Sequence, residues 1–316
     1  MLIKEKDPLD NAIQRLETII SREDIPQTIR AKAEQELRKL RAGERGEKEA
    51  AYYIDFHYKN SPNWAIIHDL RIKHKGRVAQ IDHLLISRFL EFYVLESKTF
   101  MYGIKITEHG EFLIWYNKRY YAIPSPIEQN KRHVLVLKAL LADKKLLPKR
   151  LGVSMPPRFQ PYILISPKAR IIRPPKKKFD TSSIIKADEF FKQIQREIDT
   201  ADPALILTSV AKLISSETLR TLASRLVKYH QPFTIDYYAK FGISPSPQAE
   251  KAAESPPTTE STPTPTKSAA SKPKSRYFCY RCHKPISRKV AMYCFQHKER
   301  FHGKAYCFDC QKHFSG

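Results

Sequence analysis

The chain has 316 residues, 41% of them hydrophobic, and 56 Lys and Arg against 33 Asp and Glu give a formal net charge of +23. That length suits one sizeable core plus an extra module, and the charge favours polyanionic partners, nucleic acid or an anionic membrane surface, because neutralised phosphates release counterions. No run of 18 apolar residues offers a membrane span, the first seven residues lack the apolar stretch of a signal peptide, and all five cysteines lie in the last 38 residues. A disulfide framework over the whole chain is thereby excluded, and a reducing, cytoplasmic location is expected.

In chain order, residues 8–41 read as helical, with Leu9, Ile13, Leu16 and Ile20 at helical spacing, a break at Ile25-Pro26, and a second helix to about Arg41. These N-terminal helices, residues 1–42, carry no readable function. A further helix is expected from Glu44 to about His57, entered through Gly43 and Gly46. Short β-like runs follow at Trp64–Leu70, Val78–Ser87, Phe92–Ser97, Ile104–Thr107, Phe112–Tyr116 and Tyr120–Ile123, read as an antiparallel meander. Pro126 opens a helix over Ile127–Leu141, a strand follows at Pro161–Ser166, and helices fit 187–198 and 205–228. Residues 43–240 therefore read as one α/β domain. Residues 241–276, rich in Pro, Ser, Thr, Ala and Lys, have too little apolar surface to offset the entropy of ordering and read as a disordered linker. Residues 277–316 form a separate small module.

Within the apolar run Gln80-Ile81-Asp82-His83-Leu84-Leu85-Ile86 stands one carboxylate, and Glu96-Ser97-Lys98 ends the next strand. Side chains repeat every second residue along a strand, so Glu96 and Lys98 share a face. The short connection at Arg88–Glu91 predicts a hairpin that brings Asp82 near Glu96. Two carboxylates can hold a hard divalent cation that activates water, and an ammonium can stabilise a phosphorane-like transition state. From the spacing alone, strand-end charges paired to Lys98 and Arg77 are the more ordinary reading, since this pattern arises often by chance.

Residues 43–142 resemble the nuclease-related domain (NERD), a branch of the PD-(D/E)xK nuclease superfamily, through Gly46-Glu47, Gln80-Ile81-Asp82-His83, Glu96-Ser97-Lys98, Gly103-Ile104, the Trp115 strand and Pro124 to Gln129, in that order. The resemblance implies a restriction-endonuclease-like core, a mixed sheet flanked by helices. It implies Asp82, Glu96 and the Ser97 carbonyl as ligands of Mg2+ or Mn2+, with Lys98 as the catalytic lysine. Glu47 would be a further acidic group, with a plain helix N-terminal carboxylate as its alternative; Gln129 would orient substrate or the lysine, or be a plain N-terminal polar residue. His83 should point away from Asp82 on an ideal strand. Ile81 replaces the proline that usually precedes the first superfamily aspartate. Some members of this superfamily bind without cutting.

Cys279-x2-Cys282 and Cys307-x2-Cys310, separated by 24 residues, have the spacing of a zinc ribbon, in which the metal supplies folding energy to a small module. Cys294 and His297 form another C-x2-H pair, read as a buried small side chain rather than a second Zn2+ site. Basic residues Arg281, Lys284, Arg288, Lys289, Lys298, Arg300 and Lys304 interleave with Tyr277, Phe278, Tyr280 and Phe301, a mixture suited to phosphate contact and base stacking, or to docking a protein. The combined expectation is a metal-dependent nuclease acting on nucleic acid, DNA ahead of RNA, with a tethered ribbon. A non-catalytic nucleic-acid adaptor and a protein-interaction scaffold are the alternatives.

Overall fold

The computed structural model describes residues 1–100, 102–200, 202, 213–244, 277–280 and 285–311. Residues 1–246 form one compact unit and 247–316 a second. In the first unit the chain runs β1 (Leu2–Lys4), α1 (Asp10–Ser21), α2 (Gln27–Tyr58), β2 (Trp64–His74), β3 (Arg77–Ser87), β4 (Glu91–Lys98), β5 (Ile104–Ile106), β6 (Phe112–Tyr116), β7 (Arg119–Ile123) and α3 (Pro126–Asp143). A small hairpin, β8 (Lys149–Arg150) and β9 (Val153–Ser154), leads to β10 (Arg158–Ile165), β11 (Ile171–Ile172), β12 (Ile184–Lys186), α4 (Phe190–Asp199), α5 (Ser216–Val227) and α6 (Tyr237–Phe241).

The main sheet has the order β1-β2-β3-β4-β10-β12. Its centre, β2-β3-β4, is antiparallel, while β1, β10 and β12 add in parallel, giving a mixed sheet. The predicted single meander is corrected here. β5, β6 and β7 leave the main sheet and pair with β11 in a second one. The departure occurs at Gly103, whose backbone lies against Arg170 at φ +101°; a Cβ there would strike the Arg170 carbonyl.

The expected break near Gly43 is also absent, since α2 runs unbroken for 32 residues. Glycine weakens a helix interior by about 1 kcal/mol relative to alanine, but both ends of α2 are held. Ala33 and Leu37 pack on α1, and Ala50, Ile54 and Tyr58 pack on one face of the main sheet. On the opposite face, α3 and α5 bury Leu137, Leu140, Leu141, Leu219 and Leu222 against Ile67, Leu84, Ile86 and Val94. Phe241 and Ile243 also join the α1/α2 cluster; the rest of the expected linker, 245–276, lies outside the described residues, as does the start of the predicted 205–228 helix. No helix among the described residues is long and apolar enough to cross a membrane.

Candidate active site

The apolar phase of the two central strands slips at one place. Ala65 and Ile67 share a core with Leu70 and Ile72 on β2, and Ala79 and Ile81 share it with Leu84 and Ile86 on β3. A strict two-residue alternation cannot place all of them on one side. The slip falls at Asp69 and Asp82: His68 pairs with His83 and Leu70 with Ile81, but no rung joins the residues between. Asp69 takes φ +53° there, a conformation that side chains other than Gly, Asn and Asp seldom adopt. Its carboxylate accepts from the Gln80 amide and from the Asp7 N–H.

The same interruption releases Asp82. The β3/β4 ladder runs from Ile86↔Phe92 to His83↔Leu95, and one more step would set Asp82 opposite Glu96. There Asp82 Oδ2 accepts the Ser97 N–H at 2.7 Å. Glu96 is 3% exposed, and its Oε1 accepts from Lys98 Nζ at 2.7 Å and from Gln129 Nε2 at 2.8 Å. Its Oε2 is buried without a hydrogen bond, 3.5 Å from an equally unsatisfied His133 Nδ1.

Gln129 is placed by the start of α3. Ser125 caps that helix, accepting the Glu128 N–H, and Pro126 occupies its first turn. Asn130, next in line, is buried and donates to the Val94 and Tyr162 carbonyls, fixing α3 to β4 and β10. Glu47 arrives on α2 because Gly46 lets the helix lie directly on the Thr99 side chain, just past Lys98. Lys6, beyond β1, forms an ion pair with Glu47.

On the other side of β3 and β4 runs a chain of polar groups, with His68 and His83 buried and Ser97 and Asp55 half-buried at its ends. Ser97 Oγ lies 2.9 Å from His83 Nε2, His83 Nδ1 lies 2.8 Å from His68 Nδ1, and His68 Nε2 lies 3.1 Å from Asp55 Oδ1 on α2. With neutral rings one proton order satisfies every contact: Ser97 donates to His83, His83 to His68, and His68 to Asp55. Burial first, then the neighbouring His68 and Lys6, holds the His83 pKa well below the usual imidazole range. His83 thus faces away from the carboxylates and positions the strand that carries them.

Burial is the main influence raising the carboxylate pKa values. Asp82 is pushed well above the ordinary range by burial, then by repulsion from Glu96 and Glu47, against the Ser97 N–H and Lys98. Glu96 is raised by burial and Glu47, opposed by Lys98 and Gln129. His133 is lowered to about 4 by burial and by the Lys98 and Arg132 charges. The donor set suits a divalent cation: hard oxygens, a Glu96 Oε2 without a hydrogen bond, and carboxylates whose mutual repulsion Lys98 and Lys6 offset only in part. The site brings together Asp82, Glu96, Lys98 and Gln129, with Glu47 close enough to act electrostatically. Asp69, Lys6, His68, Asp55 and His133 were not foreseen. Of these only His133 had a simple signal, four residues beyond Gln129 on one helix face.

Residues 42–166, from the second half of α2 to the residue after β10, match the family model described as the nuclease-related domain. Those residues carry a nuclease-related domain. No curated protein and no solved structure matched the chain. The matched span contains Asp82, Glu96, Lys98 and Gln129 together with the central strands β2, β3 and β4.

The second unit holds a separate cluster. The strands Tyr277–Phe278 and Pro285–Ile286 pair antiparallel, and Cys279 leaves the first of them. Cys279, Cys307 and Cys310 place their sulfurs within 4.8 Å of one another, the one such group of three His, Cys, Asp or Glu ligands among the described residues. The Tyr280 N–H donates to the Ala305 carbonyl at 2.7 Å, tying the two cysteine segments together. Cys282 lies outside the described residues. Cys294 is buried and stands apart from that trio; its sulfur accepts from the Tyr306 N–H at 3.4 Å and Gln311 Nε2 at 3.2 Å. His297 is exposed and packs on Tyr293.

Proposed function

We propose that the nuclease-related domain hydrolyses phosphodiester bonds in nucleic acid, with DNA the first substrate to test, using Mg2+ or Mn2+. The observation that carries this reading is the buried Glu96, shared between Lys98 and Gln129 beside an Asp82 whose charge nothing nearby fully balances. Asp82, Glu96 and the Ser97 carbonyl would hold the cation. When bound, it would stabilise charge on the phosphate and lower the pKa of a coordinated water. Lys98 would orient the attacking water or bind the developing phosphorane charge. Gln129 positions Glu96, and Glu47 adds negative charge that strengthens cation binding. The cysteine module would be a zinc ribbon formed by Cys279, Cys282, Cys307 and Cys310, raising the local concentration of nucleic acid at the tethered domain.

A second reading, a binding module without chemistry, draws on one observation. Lys98 and Lys6 already pair with two of the carboxylates, and among the described residues no three acidic or histidine ligand atoms here close to within 4.8 Å. That reading predicts salt-sensitive binding and no cleavage. The deciding experiment incubates the protein with supercoiled plasmid, linear duplex and single strands in Mg2+, Mn2+ or chelator. Metal-dependent cleavage should fall by about 100-fold or more in Lys98→Ala, the loss typical for one transition-state donor, with the thermal melt unchanged. Equal behaviour of the two proteins overturns the catalytic reading.

A further inference from the structure

The second sheet, β11-β5-β6-β7, packs one face near β5 and leaves the other open, and at the far end of β6 and β7 Tyr116 and Tyr121 on the packed side are exposed as well. Ile104, Ile106 and Phe112 point into a core with Ile163, Ile165 and Ile184. The register puts Ile172, Lys105, Leu113, Ala122, Trp115 and Tyr120 on the opposite face, because Ile172 pairs with Lys105, Lys105 with Leu113, Leu113 with Ala122, and Trp115 with Tyr120. The solvent side of such an antiparallel sheet is ordinarily polar. Here Trp115 is 42% and Tyr120 46% exposed. Their rings meet edge to face at 4.8 Å, and Lys105 Nζ lies 5.2 Å from the Tyr120 ring centroid.

These groups line a depression of about 200 Å³ with Tyr102, Gly103, Arg170 and Ile172. Among the described residues two cations and no carboxylate border it. Its size is below the roughly 300–1,000 Å³ of ordinary ligand clefts, enough for one planar ring and too little for a helix. Tyr102 follows Lys98 by four residues, which span at most about 14 Å of extended chain. Aromatic faces beside cations, within that reach of a phosphodiester-cutting site, match an unpaired base flanked by its backbone phosphates.

We propose that this depression is a stacking site for an unpaired base of a single-stranded nucleic acid, with Trp115 and Tyr120 as the platform and Lys105 and Arg170 on the phosphates. The proposal rests on the nuclease reading for its ligand class, and it deepens that reading by naming single-stranded stretches as the preferred substrate.

The chain has two tryptophans, Trp64 and Trp115, so subtracting the emission of Trp115→Phe isolates Trp115. The full chain bearing Lys98→Ala, with zinc retained and no added Mg2+, is titrated with oligothymidylate of about 12 nucleotides, within the site sizes of single-strand binders, and with a blunt duplex of equal length. Single strand should quench the Trp115 emission while duplex does not. Tyr120→Ala should weaken single-strand affinity by roughly fivefold to 100-fold, the range of one lost base stack, with duplex affinity and melting temperature unchanged. Binding without Trp115 quenching, equal quenching by duplex, or unaltered affinity in Tyr120→Ala overturns the site, including the case in which the face docks a protein. Quenching together with Lys98-independent cutting overturns the catalytic reading alone; Lys98-dependent cutting with silent Trp115 overturns the stacking site alone.

Discussion

At Asp82 burial acts first on the carboxylate, and the charges of Glu96 and Glu47 push in the same direction, so its folded-state pKa lies well above the unfolded one. The folded protein then retains a proton that the unfolded chain releases near pH 4. Stability contributed by the protonated group is complete below the unfolded pKa and is lost as pH rises through the folded pKa. Glu96 adds to the same trend. Without metal, the stability contributed by Asp82 and Glu96 should therefore decline as pH rises from about 4 into the neutral range. His83 and His133 give an opposite trend, because their depressed folded pKa values favour folding at higher pH. The melting temperature of the wild type relative to Asp82→Asn should thus fall over that range. The asparagine keeps an oxygen for the Ser97 N–H and removes the repulsion. At pH 7 it should raise metal-free stability by on the order of 1 kcal/mol, roughly 2–4 °C for a unit of this size. In the wild type Mg2+ or Mn2+ should produce a comparable rise that disappears in Asp82→Asn. A metal-free Asp82→Asn melting below wild type would mean that Asp82 is stabilised rather than frustrated.

Among the elements, α2 and β4 decide where the acidic groups meet. Gly46 is the contact that allows it: a Cβ there would run into the Thr99 side chain. Alanine would favour the helix by about 1 kcal/mol while forcing α2 and Thr99 apart. Gly46→Ala is thus expected to melt within about 1 kcal/mol of wild type, yet to lose cleavage because Glu47 and the strand end after Lys98 shift; unaltered cleavage would show that α2 does not position the site. The same elements show what the sequence could reveal. Period-two alternation placed Glu96 with Lys98, the short connection at 88–90 made the β3/β4 hairpin legible, and Ser125-Pro126 marked the helix that delivers Gln129. Those are local signals. Lys6 reaches Glu47 across 41 residues of sequence, and the Asp55–His68–His83–Ser97 chain joins a helix to three positions on separate strands, so neither leaves a local pattern. The slip at Asp69 and Asp82 was written in the sequence as Ala79 and Ile81 changing phase to Leu84 and Ile86, a signal masked by Leu84-Leu85-Ile86, where apolar side chains stand on both faces. The continuous α2 went unread because its glycines look like boundaries, and only packing at both ends overrides them.

For the whole molecule, the two compact units imply two separate stabilities. The first has an extensive core on both faces of its sheet. Among its described residues the second buries a small cluster, including Ile286, Ala291, Phe301 and Tyr306, and three of its cysteines converge. Segments of about 40 residues rarely fold on burial alone, whereas a structural zinc site contributes on the order of 10–16 kcal/mol. Removing zinc with a chelator that spares Mg2+ should therefore abolish the melting transition of residues 277–316 and leave that of residues 1–246 in place. Because the Cys294 sulfur is engaged by Tyr306 and Gln311 rather than by the other cysteines, the intact protein should carry about one equivalent of zinc. If the ribbon grips nucleic acid, chelation should also weaken binding while cleavage at saturating substrate persists, since a tether changes local concentration and not the chemistry at Lys98. Loss of both melting transitions on chelation would show that the first unit depends on the second for its fold. Two equivalents of zinc would instead bring Cys294 and His297 back as ligands, and the hydrogen bonds now made by Cys294 would have to break to admit the second ion.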